Sequence, residues 1–422
     1  MEKFVIRPNG PLEGTIRVNG AKNAVLPIMV SALLTNNKCV LENVPNLRDV
    51  RYMKEVIEHF GGNINELDSN TIEIKVDKIL SSEAPYELVQ KMRASFYVMG
   101  PLLAKTGVAR VSLPGGCSIG ARPVDLHLKG FSALGAEIHQ GNGFIEAKAD
   151  KLVGSDIYLD FPSVGATINI MMAATHAKGE TIIENAAQEP EIIDVSNFLN
   201  KMGANIRGAG TDTIRIEGVD SLKGTNHEII PDRIETGTYM LAAAITKGDL
   251  VIQNVVPAHI KPVIAKLREV GVDIEVGEDM LNVSVNNELN AVDVTTLPYP
   301  GFPTDMQSQF MSLMAILDDT SVINETVFEN RFKHIPELNR LGADIKIEGH
   351  SAIVRKGQKF QGAEVEATDL RAGAALVLAG MVSEGETHVN KVYHIDRGYE
   401  NFEKKLNKLG ANIKRVSVEQ TD

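Results

Sequence analysis

Cysteine is scarce in this chain: Cys39 and Cys117 are the two among 422 residues. Two thiols make no disulfide framework, and a reducing cytoplasm fits best. Long apolar runs are missing as well. None reaches the roughly 18 to 20 residues needed to span a bilayer, and the opening Met1-Glu2-Lys3-Phe4-Val5-Ile6-Arg7-Pro8 reads as neither a signal peptide nor a membrane segment. Positive charge is in deficit, with 43 Lys and Arg against 55 Asp and Glu, a net charge of −12 and a pI near 5.4. That balance excludes the broad basic face of a nucleic-acid binder. It leaves room for a few arginines converging on a small anion in a cleft. No GxxxxGK[ST] loop and no well-placed GxGxxG is present, which speaks against ATP and dinucleotide sites. The remaining composition, 43 % hydrophobic and 23 % charged, is that of an ordinary globular protein.

What the chain does have is one recurring phrase. Phe60-Gly61-Gly62-Asn63-Ile64, Leu134-Gly135-Ala136-Glu137-Ile138, Met202-Gly203-Ala204-Asn205-Ile206, Val270-Gly271-Val272-Asp273-Ile274, Leu341-Gly342-Ala343-Asp344-Ile345 and Leu409-Gly410-Ala411-Asn412-Ile413 are spaced by 68 to 74 residues. The period is too long for a solenoid repeat and predicts six copies of one α/β unit of roughly 70 residues. In the third copy, Glu180–Asn185 reads as a strand. Glu189–Met202 carries a helical apolar stripe, and Gly203 closes that helix. Ala204–Arg207 and Thr213–Ile216 alternate as a hairpin. The Ala-rich segment Thr238–Ile245 then reads as a helix buried on most sides. Each unit is thus expected to supply two helices and about four strands. The most apolar helices (Leu26–Leu34, Phe96–Leu103, Val164–Ala174, Gln309–Leu317 and Arg371–Met381) must be enclosed by their sheets.

Residues that break this pattern are candidates for chemistry. The second copy alone runs from its strand into Pro114-Gly115-Gly116-Cys117-Ser118-Ile119-Gly120-Ala121-Arg122-Pro123. Three glycines give a loop able to take positive φ, and a thiol beside Arg122 can be exposed with a lowered pKa. Cys39, inside a strand, reads as a buried apolar residue. Arg122-Pro123-Val124-Asp125-Leu126-His127 enters a helix whose first N–H groups suit a phosphate, although Asp125 and His127 read equally well as a cap and a solvated face. Lys22, next to Asn23 at a helix start, opposes the macrodipole; a bound anion or plain solvation would each explain it. Arg93, Arg331, Arg371 and Arg397 front apolar segments, either as an anion-binding cluster or paired structurally, Arg371 with Asp369 and Arg397 with Asp396. After Pro300 and Pro303, Thr304 or Asp305 reads as a helix cap, or Asp305 as a general base.

The segments Gly20–Ala24, Leu113–Pro123, Phe302–Gln307 and His394–Glu400 together resemble the UDP-N-acetylglucosamine 1-carboxyvinyltransferases, bacterial enolpyruvyl transferases of cell-wall synthesis, over essentially the whole chain. The resemblance implies an inside-out α/β barrel of two domains with three repeats each, one over 22–229 and the other over 1–21 with 230–422, and an active site in the cleft between them. It implies transfer of enolpyruvyl from phosphoenolpyruvate to the sugar 3′-hydroxyl, with release of phosphate. No metal or cofactor is implied, nor any nucleic-acid or membrane partner, and protein partners stay unknown. The catalytic set would be Cys117 as proton donor, open to a covalent phosphoenolpyruvate adduct and to the epoxide antibiotic fosfomycin, with Asp305 as base, Lys22 and Arg397. Phosphoenolpyruvate would meet Lys22, Asn23, Arg93, Arg122, Arg331, Arg371 and Arg397, with Asp49 nearby. The nucleotide sugar would meet Asn23, Arg93, Arg122, Pro123, Val124, Asp125, Leu126, His127, Ser163, Val164, Gly165, Asp305 and Val327. Phe161 stands where some members of that family carry a diphosphate-touching Lys. Two alternatives are the sister transferase acting on shikimate 3-phosphate and a non-catalytic binder of UDP-sugars.

Overall fold

The six glycines of the repeat each end a helix in the left-handed region, with φ between 92° and 109° at Gly61, Gly135, Gly203, Gly271, Gly342 and Gly410. Each donates its N–H to the carbonyl three residues back, as Gly203 does to Asn200 and Gly410 to Asn407. A side chain at such a φ would be strained, so only Gly stops the helix and turns the chain into the next strand without cost. In three copies an Asn before the glycine secures that turn. Asn200, Asn339 and Asn407 each donate to the carbonyl of the isoleucine six residues on and accept its N–H.

The computed structural model describes residues 2–112, 124–357 and 359–417. Its strands form six four-stranded sheets of one topology. In the third copy Asp156–Tyr158 runs parallel to Glu180–Glu184, which pairs antiparallel with Thr213–Glu217, itself antiparallel to Asn205–Arg207. Among the described residues the sixth copy has no strand of its own after Asn412–Ser417. Residues Glu2–Arg7 fill that place, antiparallel to both Thr387–Asn390 and Asn412–Ser417. Edge strands are exchanged in the same manner. Glu13–Arg17 lies parallel to Asp249–Gln253, and Asn226–Glu228 parallel to Cys39–Glu42.

The described chain divides into two compact units, one of residues 20–112 with 124–230 and the other of 2–19 with 231–417. Each has its own apolar core. In the first, helices Lys22–Ser31, Met99–Thr106 and Val164–Ala174 are buried over most of their lengths. In the second, Arg233–Thr246, Gln307–Met314 and Leu370–Met381 are buried almost throughout. The other helix of each repeat is one-sided. Lys261–Val270 buries Val263, Ile264, Leu267 and Val270 and leaves the rest half-buried or exposed, the stripe of an outer helix. Strands alternate buried and exposed residues, as in Thr213–Glu217. Both units therefore have helices inside and sheets outside, the inside-out α/β arrangement. Each fully buried Leu, Ile or Met on an internal helix contributes about 1.5–3 kcal/mol of apolar transfer free energy. The helix starts, where polar groups cluster, are thus carried on the most rigid part of each unit.

Candidate active site

In the unit of residues 231–417 the functional candidates gather at the start of one internal helix. Pro303, at φ −71° and ψ 130°, leads into a 3₁₀ turn, Thr304–Met306, and then helix Gln307–Met314, with no side chain capping either start. Asp305 is therefore not the cap that its position in the sequence allowed. Its carboxylate takes Arg331 Nη2 on Oδ1 at 2.6 Å and Arg371 Nη2 on Oδ2 at 3.3 Å. Both guanidinium groups are buried, at 5 % and 3 % exposure, while Asp305 keeps 25 %. The carboxylate is thus partly exposed, with two fixed cations beside it.

Arg371 comes from the first turn of Leu370–Met381. Of the two readings the sequence left open, the pairing with Asp369 gives way to a cap: Asp369 Oδ1 accepts the N–H groups of Arg371 and Ala372 at 2.8 and 3.0 Å. The Arg371 guanidinium lies over the Tyr399 ring at 5.4 Å, and its buried Nε and Nη1 have no hydrogen-bond partner among the described residues. A buried guanidinium with unused donors is costly to the fold alone and suited to an anion. Arg331 also donates through Nη1 to Thr304 Oγ1 at 3.0 Å. Asp396 binds Arg415 in a two-pronged contact at 2.6 and 3.0 Å. Arg397 ends the 3₁₀ turn Val392–Arg397, half-buried. Val327 follows Glu325, whose Oε1 accepts its N–H at 2.9 Å.

In the unit of residues 20–230, Lys22 opens an internal helix whose start has no side-chain cap. It is not a solvated lysine: Nζ lies 3.0 Å from Asp49 Oδ2, with exposures of 12 % and 1 %. Asp49 supplies the negative charge that offsets a cation at a positive helix end. Asn23 is half-buried beside it, and Arg93 begins the 3₁₀ segment Arg93–Val98 before Met99–Thr106. Helix Asp125–Ala133 has no side-chain cap, and Asp125 is exposed while Val124 and Leu126 are half-buried. The His127 ring turns inward and meets Phe96 edge-on at 5.0 Å. Burial, with the nearby Arg93 charge, pushes its pKa down to about 3, so it stays neutral at physiological pH. Asn169 Oδ1 accepts the Gly100 N–H, so its Nδ2 donates to Phe96 O and to His127 Nδ1 at 3.0 Å each. That assigns the His127 proton to Nε2, beside Gly165. Ser163 caps helix Val164–Ala174 by accepting the Ala166 N–H, and Ser163, Val164 and Gly165 are half-buried. Phe161 is 41 % exposed.

Cys117, Arg122 and Pro123 lie outside the described residues. Cys39 is fully buried in its strand, where desolvation raises its pKa to about 11, the inert thiol expected from its position. Among the described residues no cluster of three or more His, Cys, Asp or Glu could hold a metal, and no helix is long and apolar enough to cross a membrane. Reading the sequence missed Thr304, Glu325, Gln309, Tyr399 as the face under Arg371, and Asn169. Gln309 Nε2 donates to the Asp305 carbonyl at 3.0 Å and to Tyr399 Oη at 3.2 Å. Tyr399 was in view as part of the His394–Glu400 motif, but nothing in its polar neighbours signals its burial.

The family description EPSP synthase (3-phosphoshikimate 1-carboxyvinyltransferase) matches residues 6–406. A protein named UDP-N-acetylglucosamine 1-carboxyvinyltransferase 1, from Caldanaerobacter subterraneus subsp. tengcongensis, is 61 % identical over 98 % of this chain and 99 % of its own. The UDP-N-acetylglucosamine 1-carboxyvinyltransferase 2 of Carboxydothermus hydrogenoformans is 58 % identical over 99 % of this chain and all of its own. Among solved structures, the enolpyruvyl transferase NikO from Streptomyces tendae superposes with a TM-score of 0.89 at 25 % identity over 99 % of both chains. The EPSP synthase of Acinetobacter baumannii, at 18 % identity and TM-score 0.75 over 99 % of this chain and 100 % of its own, shares the fold. The chain belongs to the EPSP synthase family of enolpyruvyl transferases and, within it, to the UDP-N-acetylglucosamine 1-carboxyvinyltransferases.

Proposed function

We propose that this chain transfers the enolpyruvyl group of phosphoenolpyruvate to the 3′-hydroxyl of UDP-N-acetylglucosamine, in the cytoplasm, as the committing step of peptidoglycan synthesis. In the addition step the sugar 3′-oxygen bonds to carbon 2 of phosphoenolpyruvate and gives its proton to Asp305. Carbon 3 gains a proton from Cys117, leaving a tetrahedral ketal that still carries phosphate. In the elimination step carbon 3 gives a proton back to the Cys117 thiolate and carbon 2 releases phosphate, which takes up the Asp305 proton, so the double bond is restored in the product and both residues return to their starting states. Lys22, Asn23, Arg93, Arg122, Arg331, Arg371 and Arg397 hold the carboxylate and phosphate while positive character develops on carbon 2. Val124, Asp125, Leu126, His127, Ser163, Val164, Gly165 and Val327, with Arg122 and Pro123, hold the nucleotide sugar.

The observation that carries the reading is 61 % identity along 98 % of the chain to a relative of that name. The Asp305 carboxylate, partly exposed and held by two buried arginines, supports its role as base. Phosphate release from phosphoenolpyruvate, with either UDP-N-acetylglucosamine or shikimate 3-phosphate as sole acceptor, tests it. Release with the nucleotide sugar alone is expected; release with shikimate 3-phosphate alone would move the chain to the sister reaction. Neither acceptor working would leave a UDP-sugar binder.

A further inference from the structure

Three repeats share an asparagine at one place where the fifth carries a glutamate and the sixth Lys391. The strands Cys39–Glu42, Glu180–Glu184 and Asp249–Gln253 are followed by Asn43, Asn185 and Asn254. All three sit at φ between 53° and 58°. Each donates its side-chain N–H to the carbonyl just past the neighbouring edge strand: Asn43 to Ile229, Asn185 to Leu159 and Asn254 to Val18, at 2.7–2.8 Å. This is a purely structural tie between parallel strands. In the fifth repeat the strand Ser321–Asn324 is followed instead by Glu325, which stays out of the positive-φ region.

Glu325 still serves the edge-strand tie, with the polarity reversed, because Oε1 accepts the hydroxyl of Thr296, the residue just past edge strand Val294–Thr295. The longer carboxylate does more. Oε1 also accepts the N–H groups of Val327 and Phe328 at 2.9 and 3.1 Å, and Oε2 accepts the Thr304 hydroxyl at 2.8 Å. Glu325 is 1 % exposed, so a carboxylate there needs all four donors. Thr304 in turn accepts Arg331 Nη1 at 3.0 Å, and Arg331 Nη2 holds Asp305 at 2.6 Å. Because the Thr304 proton is committed to Glu325, its lone pairs face Arg331, which fixes the guanidinium plane and so the Asp305 carboxylate.

We propose that Glu325 is a positioning residue for the transfer reaction, holding Arg331 and Asp305 in their reacting arrangement through the Thr304 hydroxyl. The proposal rests on the transferase reading above. It adds a residue that touches no substrate and that replaces a structural asparagine of the sister repeats.

Glu325→Asn installs the residue that three sister repeats use and keeps a way to tie the strands, so the chain is expected to fold. Thr304→Val cuts the relay at its middle, and Thr304→Ser keeps it. In steady-state phosphate release, E325N and T304V are each expected to lower kcat by about 10- to 100-fold, the scale of a small misplacement at a reacting centre. The double variant should be no worse than T304V alone within threefold, and T304S should stay within threefold of the parent. The acid limb of the kcat–pH profile should also move to higher pH in E325N, because a displaced Arg331 stabilises the Asp305 carboxylate less. A loss of folded fraction would scale kcat equally at every pH and leave the limb in place. Unchanged kcat and limb in E325N, or multiplying losses in the double variant, would overturn the proposal. Should the parent itself release no phosphate, the transferase reading falls. The nitrogen-15 signals of the Arg331 guanidinium then decide the relay separately: a change in E325N upholds it and identical signals refute it.

Discussion

Three internal helices of the 231–417 unit begin beside an aspartate, and one of the three aspartates behaves unlike the other two. Asp232 accepts the N–H groups of Ile234 and Glu235, and Asp369 those of Arg371 and Ala372, so both cap their helices. Asp305 stands at the matching start and caps nothing, because Pro303 and the 3₁₀ turn Thr304–Met306 carry its side chain off the helix end. Two buried arginines hold it instead. In the 20–230 unit the corresponding starts present Lys22 and Arg93, together with Ser163 as a cap. The same repeated scaffold therefore yields caps where side chains reach the backbone and a buried-arginine ion pair where the first turn is altered. A residue's type at a helix start decides little until the geometry of that turn is known.

The largest expected way to sharpen this contrast is Arg371→Ala. Its unused buried donors imply that it serves an anion more than the fold. Turnover is expected to fall by about 100-fold or more, while the variant still unfolds in one cooperative transition. Activity lost only in step with melting temperature would make Arg371 structural. A smaller effect is expected at the caps. Asp232→Ala and Asp369→Ala should each lower unfolding free energy by about 1 kcal/mol in chemical denaturation, and no measurable loss would place them with Asp305. The finest effect concerns His127. Its folded pKa, about 3, lies below the ordinary value of 6.5, so below pH 6.5 the unfolded chain binds a proton that the native ring refuses. Stability is undiminished above about pH 6.5 and declines as pH falls toward 3. His127→Gln should flatten that decline by up to about 1.4 kcal/mol per pH unit. An unaltered slope between pH 6.5 and 4.5 would mean the ring titrates normally.

The sixfold repeat, its helix-ending glycines, the two helices and four strands of each unit and the burial of Cys39 were all legible in the sequence, because each depends on local spacing and side-chain type. The strand Glu2–Arg7 completing the sixth sheet was not legible from periodicity, since the pattern shows only that copy's missing piece and not the distant segment that replaces it. Arg331, Arg371 and Asp305 stood out as residues, but their mutual contacts depend on three chain segments meeting. Lys22 was read without Asp49 as its partner, and for Arg371 a pairing with Asp369 stood open beside the anion-binding reading, whereas that carboxylate is taken by the helix end. Glu325 was visible only by aligning Asn43, Asn185 and Asn254 with it, a comparison of strand ends rather than of the glycine phrase.

The account turns on Asp305 being a reacting carboxylate on a scaffold where its sisters are caps, and Asp305→Asn tests this most directly. Phosphate release from phosphoenolpyruvate with UDP-N-acetylglucosamine should fall by about 10²- to 10⁴-fold, the range for loss of a general base, and the acid limb of the parent's kcat–pH profile should disappear. A kcat within tenfold of the parent that keeps its acid limb would contradict the account and return Asp305 to a structural role beside Asp232 and Asp369.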